Sequence, residues 1–195
     1  QQAKAAAEAR RKAEQEAKKK AEAICDELKR VAPGIDAVAV VGDVKDANLG
    51  PLDLLIDATG EQGLTDWLTW QYADQVPFLS TWVEGAGAAV RALMKAKPEL
   101  ACARCVSQPS LKDQYRVFDV PPEVMMKGHG CEGLYVPFPA AASVQAAALA
   151  MEMVQAWLDG AESPSFRTRV LDQQRKAHFK DSSPHRYEGC PACAT

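Results

Sequence analysis

Apolar and polar positions change rhythm several times along the chain, and each rhythm predicts an element. Residues 1–32 consist mostly of Ala, Lys, Arg, Glu and Gln, which lose little side-chain freedom in a helix. One long N-terminal helix is predicted, ended by Pro33 and Gly34. Before Ile24, Leu28 and Val31 its apolar residues are only alanines, so the first twenty positions carry too weak a stripe to bury firmly. Two short runs follow, Ala37–Val41 and Leu52–Asp57, rich in β-formers and bounded by Gly or Pro. Such runs suit strands covered on both faces, as in a parallel sheet. Between Gly60 and Tyr72, the positions of Leu64, Trp67, Leu68, Gln71 and Tyr72 fit an amphipathic helix, and Val76 to Val83 reads as the next strand. This is β-α-β order.

After Gly85 the pattern predicts strands at Ala88 to Met94 and Tyr115 to Val120, then an irregular stretch over 121–138. From Pro139, apt for a helix's first turn, Val144, Ala148, Met151, Val154 and Leu158 keep helical spacing as far as Asp159, and Gly160 stops the helix. Alanines on its other faces allow close approach of neighbours. Phe166 to Leu171 and Ala177 to Lys180 are expected to form a terminal hairpin before a polar tail. The expected class is therefore α/β: a partial Rossmann-like parallel sheet with flanking helices, a β-hairpin region and a long N-terminal helix, divided into 1–32 and 33–195. No internal repeat is visible.

Composition narrows this reading. With 195 residues, 47% of them hydrophobic, the chain can build one ordinary core and is marginal for two. A formal charge of -3 and a pI near 5.7 give no reason to expect nucleic acid. Residues 1–30 hold nine Lys/Arg against six Asp/Glu, which reads better as a solvated charged face than as an anion site. No stretch approaches the roughly 18 consecutive apolar residues of a membrane span, and no apolar signal segment is seen. The expected setting is the cytoplasm, with no membrane partner.

Six cysteines then become informative. A reducing compartment and paired spacing favour metal binding over disulfides. Cys102-Ala-Arg-Cys105 and Cys190-Pro-Ala-Cys193 are two C-x-x-C knuckles, each able to offer two thiolates to one tetrahedral zinc ion. Zinc held by all four would tie the tail to mid-chain, in a structural role, because four thiolates leave no open position. A redox dithiol at either pair, or unliganded thiols, are the rivals. Cys25, between Ile24 and Leu28, reads as a packed, inert thiol.

Cys131 sits in Lys127-Gly-His-Gly-Cys131-Glu-Gly133, whose three glycines permit the travel a nucleophile needs. Lys127 and His129 would raise its thiolate fraction, although a lone loop cysteine is more often incidental. Gly85-Ala-Gly87 lacks the third glycine of a dinucleotide loop and reads as a turn. Asp57-Ala-Thr-Gly60 ends a buried strand, where either a ligand site or a plain strand-to-helix turn is open. Trp67, Trp70 and Trp82 are expected to fill core or interface space.

In order, Lys20–Pro33, Asp53–Gly60 with its D-x-T motif, Val76–Thr81, the first cysteine pair, Gly130-Cys131-Glu-Gly133, an Ala-rich helix and the second cysteine pair resemble the ThiF/MoeB/HesA family and eukaryotic ubiquitin-activating enzymes. The resemblance runs from about residue 20 to the end. Its double C-x-x-C is the specific part. It implies an enzyme that uses ATP and Mg²⁺ to adenylate the C-terminus of a ubiquitin-like or sulfur-carrier protein and pass it to a cysteine, here Cys131 by position. Lys20 matches a lysine that contacts the nucleotide. A conjugating-enzyme partner and a homodimer are also implied. The family's glycine-rich nucleotide loop lies upstream of the lysine helix and is not matched by residues 1–19, and Gly60 stands where the family has an aspartate. The resemblance is thus to the C-terminal portion, without the nucleotide-binding half. The Asp-Ala-Thr-Gly-Glu turn and Gly-Cys-Glu-Gly loop look most like bacterial ubiquitin-like conjugation systems, including antiphage ones.

Overall fold

In the computed structural model, residues 2–108, 113–119, 126–127 and 134–193 are described. The chain divides into two compact units, residues 1–51 and 52–195.

The first unit is dominated by α1 (Gln2–Val31). Lys29 and Arg30 in the last turn complement the negative end of the helix dipole. Arg30 also pairs with Glu27, and Lys18 with Glu22 at 3.7 Å. Gly34, at φ +105°, turns the chain out of the helix. Ile24, Leu28 and Val31 remain exposed. Residues 37–41 correct the expectation: they form no strand, and Val38, Val40 and Val41 stay exposed. A strand exists only when a neighbour takes up its N–H and C=O groups, and no ladder partner is present for this run among the described residues. β propensity without a neighbour leaves an extended coil.

The second unit is a mixed α/β layer. Its strands and helices are β1 (Leu55–Asp57), α2 (Gln62–Tyr72), β2 (Phe78–Glu84), β3 (Ala89–Lys95), α3 (Ala103–Val106), β4 (Met126–Lys127), β5 (Leu134–Tyr135), α4 (Ala140–Leu158) and β6 (Phe166–Val170). The main sheet has the order β1-β2-β3-β6. β1 and β2 are parallel and joined through α2, the expected β-α-β step. The β2–β3 and β3–β6 pairs are antiparallel, so the parallel part of the sheet is confined to one pair.

Gly85, Ala86 and Gly87 make the β2–β3 hairpin turn, all at positive φ. A Cβ on Gly87 would stand 2.8 Å from Pro139 Cδ and 3.2 Å from Phe138 Cβ, so the turn needs glycine for space as well as for conformation.

One face of the sheet, with Leu79, Val90, Ala92 and Met94, packs on the Ala142, Ala146, Leu149, Ala150 and Met153 side of α4. Small alanines bring the helix close enough for Thr81 Oγ1 to reach the Ala146 carbonyl at 3.4 Å. On the other face Arg91 is 5% exposed, with its guanidinium 4.2 Å from the Phe166 ring centroid and 4.7 Å from that of Phe179. Burial lowers its pKa, while Glu84, bonded at 3.0 Å, opposes that shift. Such stacking keeps a buried cation packed on aromatic faces.

Two further expectations change. Residues 115–119 form no strand: Val117 and Phe118 bury themselves against Ala88 and Ala89 instead, and Val117 supplies its carbonyl to His178 N at 2.9 Å. Residues 177–180 do not form a hairpin with β6, whose ladder partner is β3, leaving one bridge between Phe166 and Ser182. The stretch expected to be irregular holds the short β4–β5 pair, Met126 opposite Tyr135 and Lys127 opposite Leu134. No helix among the described residues is long and apolar enough to cross a membrane.

Candidate metal centre

The first cysteine pair is shaped by α3. Cys102 is its N-cap residue, in extended conformation, and its carbonyl accepts from Cys105 N at 3.0 Å and Val106 N at 3.4 Å. This tight turn points both sulfurs the same way. The second pair repeats the device: Tyr187 O accepts from Cys190 N at 2.9 Å and Cys190 O from Cys193 N at 3.2 Å.

Backbone pairing brings the two turns together. Ser182 and Phe166 exchange hydrogen bonds of 2.8 and 3.0 Å, Ala101 N donates to Pro184 O at 2.8 Å, and Arg186 N donates to Glu99 O at 2.9 Å. The tail therefore runs alongside residues 99–101 before reaching Cys190 and Cys193. The polar sequence of 181–189 gives no sign of this, because the bonds are backbone to backbone.

The four sulfurs lie within 4.8 Å of one another, and Cys102, Cys105, Cys190 and Cys193 are all at most 2% exposed. Cys102 Sγ is 3.6 Å from Cys105 Sγ and 3.7 Å from Cys190 Sγ, and Cys105 Sγ is 3.7 Å from Cys193 Sγ. A tetrahedral ion with metal–sulfur bonds of about 2.3 Å has sulfur–sulfur edges of about 3.8 Å. The separations fit that geometry, and all four thiols are free of disulfides. These cysteines can hold a metal ion, as the spacing predicted, and the two pairs the sequence linked do meet.

Their electrostatics favour a cation. Hydrogen bonds with Cys102 and Cys193 hold the Cys105 thiol down at about 2, whereas the Cys105 hydrogen bond pushes Cys102 upward. Without a positive charge one sulfur ionises at the expense of its neighbour; a divalent ion would let all four be thiolates. Burial, and then the Cys105 charge, raises Tyr115. Two supporting groups were not visible in the sequence: Tyr187 N donates to Cys105 Sγ at 3.3 Å, and Arg186 Nη1 donates to the Cys193 carbonyl at 3.3 Å. A backbone donor has no side-chain signature.

The other candidate residues lie elsewhere. Lys20 is exposed on α1 in the first unit. Cys25 is a half-buried free thiol on the same helix. Cys131 lies outside the described residues. The Asp57 turn resolves toward structure: Asp57 is 3% exposed, Oδ1 accepts from Thr59 N at 3.0 Å and Thr59 Oγ1 at 2.7 Å, and Oδ2 accepts from Thr65 Oγ1 at 2.5 Å. Its carboxylate ties β1 to the turn before α2, and Glu61 caps that helix through Gly63 N and Leu64 N.

Fold and sulfur cluster together define a mixed α/β unit whose C-terminal tail meets mid-chain at four buried cysteines that can hold a metal ion. No family model matches the chain. Over 174 residues, 89% of its length, it is 48% identical to the "ATP-dependent ubiquitin transferase-like protein Cap2" of Pseudomonas aeruginosa strain BWHPSA011 / Pa011. The matched span is 32% of that relative, so the chain covers about a third of the relative's length.

Proposed function

We propose that this chain is the zinc-braced, cysteine-bearing portion of a ThiF/MoeB/HesA-type activating enzyme, working in a bacterial ubiquitin-like conjugation system in the cytoplasm. The observation that carries the reading is the closure of the two cysteine pairs around one point, which joins mid-chain to tail. The name of the relative supports it, because a ubiquitin-transferase-like protein matches 89% of the chain.

In this reading Cys102, Cys105, Cys190 and Cys193 hold structural zinc, and the chemistry belongs to Cys131. The complete enzyme uses ATP and Mg²⁺ to adenylate a ubiquitin-like or sulfur-carrier protein at its C-terminal carboxylate. The Cys131 thiolate then attacks the acyl carbon. A carbon–sulfur bond forms, the bond from carbon to the AMP oxygen breaks, and AMP departs with that electron pair, leaving a thioester. A conjugating-enzyme thiol takes the acyl group next. Lys20 contributes to nucleotide contact, while sequence other than residues 1–19 supplies the phosphate loop. The working form is a homodimer, which the outward side of α4 supports: Val144, Met151 and Leu158 are exposed at seven-residue spacing, a pattern that is its own mirror about Met151 in an antiparallel helix pair.

Incubation with ATP, Mg²⁺, the cognate carrier and the upstream half tests the proposal. A carrier thioester that excess thiol cleaves is expected on Cys131, absent in Cys131→Ser with metal content unchanged. No adduct under any pairing would leave a second reading, a catalytically silent zinc-stabilised interaction module, which the exposed Ile24, Leu28 and Val31 of the N-terminal helix favour.

A further inference from the structure

The first cysteine turn has a second neighbour besides the tail. Arg104 stands between its two thiols, on α3, and α3 packs against α2. Nη1 of Arg104 pairs with Asp66 Oδ2 on α2 at 3.2 Å, both side chains being half-buried. Its Nε is closed off from water and has no hydrogen-bond partner among the described residues, so Asp66 is the contact that offsets the desolvated cation. Asp66 Oδ1 accepts from Gln62 Nε2 at 2.9 Å, which leaves both carboxylate oxygens engaged. The Arg104 carbonyl is held as well, accepting from Gln108 Nε2 at 3.1 Å and Ser107 Oγ at 3.4 Å.

The residue before Asp66 reaches in another direction. Thr65 Oγ1 donates to Asp57 Oδ2 at 2.5 Å, and Asp57 Oδ1 accepts from Thr59 N at 3.0 Å and Thr59 Oγ1 at 2.7 Å. Asp57 is buried, and no basic side chain pairs with it among the described residues, so these three donors are what hold its carboxylate. It ends β1 at the carboxyl end of the parallel β1–β2 pair, the edge at which α/β sheets bind ligands. Thr65 and Asp66 are consecutive, about 100° apart around the helix axis. A single turn of α2 is therefore pinned from two sides, by the Asp57 turn and by the first cysteine turn.

We infer that Arg104 is a positioning residue that makes the geometry of the Asp57–Gly60 turn follow the metal. An ion on the four sulfurs fixes the turn of α3; Arg104 then fixes Asp66, and α2 presents Thr65 to Asp57. The link runs from Cys102 and Cys105 through two side-chain contacts, one ionic and one a hydrogen bond, and passes through no residue of the tail. The metal thus has a second output, at the ligand edge of the sheet. Nothing in this link uses the chemistry at Cys131, so it stands or falls separately from the activating-enzyme reading.

Amide NMR of the intact chain, loaded with zinc and then with cadmium, tests the inference. Cadmium also suits thiolates but is larger, so it keeps the tail tied while displacing the first cysteine turn. In the unaltered chain the Thr59 amide resonance is expected to shift on exchange of the ion. In Arg104→Met, which keeps the length of the side chain and loses its charge, Thr59 should stay in place. Thr65→Val cuts the second link with Arg104 and Asp66 still paired, and should isolate Thr59 in the same way. Amides of residues 99–101, beside the tail, should shift in all three chains, which shows that each is folded and holds the ion. With zinc bound, Arg104→Met should also speed hydrogen exchange at Thr59 about fivefold, the scale of one partly exposed ion pair. No shift at Thr59 in the unaltered chain, the same shift in Arg104→Met, or unchanged exchange at Thr59 would each overturn the inference.

Discussion

Residues 2–31 and residues 182–193 are ordered by opposite means. The first are thirty residues of continuous helix whose large apolar side chains, Ile24, Leu28 and Val31, stay exposed. The second contain no helix and only single bridges, yet Cys190, Ala192 and Cys193 are buried. One segment is set by propensity and i,i+3 or i,i+4 ion pairs, each contributing only about 0.2–0.5 kcal/mol. The other is set by borrowed partners: backbone groups of 99–101 and the sulfurs of the first knuckle. Regular secondary structure is therefore a poor guide to how firmly a segment of this protein is held.

Metal removal should break the comparison most sharply. Chelation, or Cys190→Ser, is expected to cost the second unit about 4 kcal/mol or more. Amides of 182–193 should lose hydrogen-exchange protection while the circular-dichroism signal of α1 persists. A tail that keeps its protection without metal would contradict a tether made by the four sulfurs.

Glycines sharpen the same contrast. Gly87→Ala should destabilise by about 3 kcal/mol, since a left-handed Cβ costs about 1–2 kcal/mol and this one also collides with Pro139. Gly34→Ala, at φ +105° with nothing within 4 Å of the added Cβ, should carry only the backbone strain. Equal losses in denaturant titrations of the two variants would mean that close packing around the hairpin turn is not what separates the sites.

Smaller effects belong to the surface. Glu152 is bonded to Arg169 and paired with Arg167, and the Arg169 hydrogen bond holds its carboxyl below the usual range. A carboxyl depressed in the folded state stabilises above its unfolded value, near about 4.3, and that contribution is lost as pH falls through the folded value. Because the group is largely exposed, Glu152→Gln should cost only about 0.5 kcal/mol at neutral pH, and less at high salt. Ile24→Ala, 62% exposed on α1, should change stability by less than about 0.5 kcal/mol. A larger loss in thermal melts would show that the stripe on α1 is covered in solution.

How far the site could be read in advance follows the same division. C-x-x-C spacing picked out the four cysteines whose sulfurs the structure gathers, because two thiols on one turn is a local requirement. Nothing local pointed to Tyr187 N on Cys105 Sγ or to the buried Arg91 and Lys95, whose polar side chains look like surface residues until aromatic rings and the Asp74 carboxylate surround them.

By itself the sequence determined what depends on near neighbours: α1 from its composition, α4 from its period, α2 from its amphipathic spacing, the glycine turn between β2 and β3, and the two knuckles. Only the tertiary structure decided which extended runs became strands. Val38 and Val40 have β propensity as good as that of Val83 and Val90, but a ladder needs a second backbone at the right distance, and the latter pair found each other. Likewise β6 lies beside β3 rather than beside 177–180, and a polar tail is carried to the first cysteine pair by bonds its side chains do not make. Propensity acts over a few residues; pairing is a property of the whole chain.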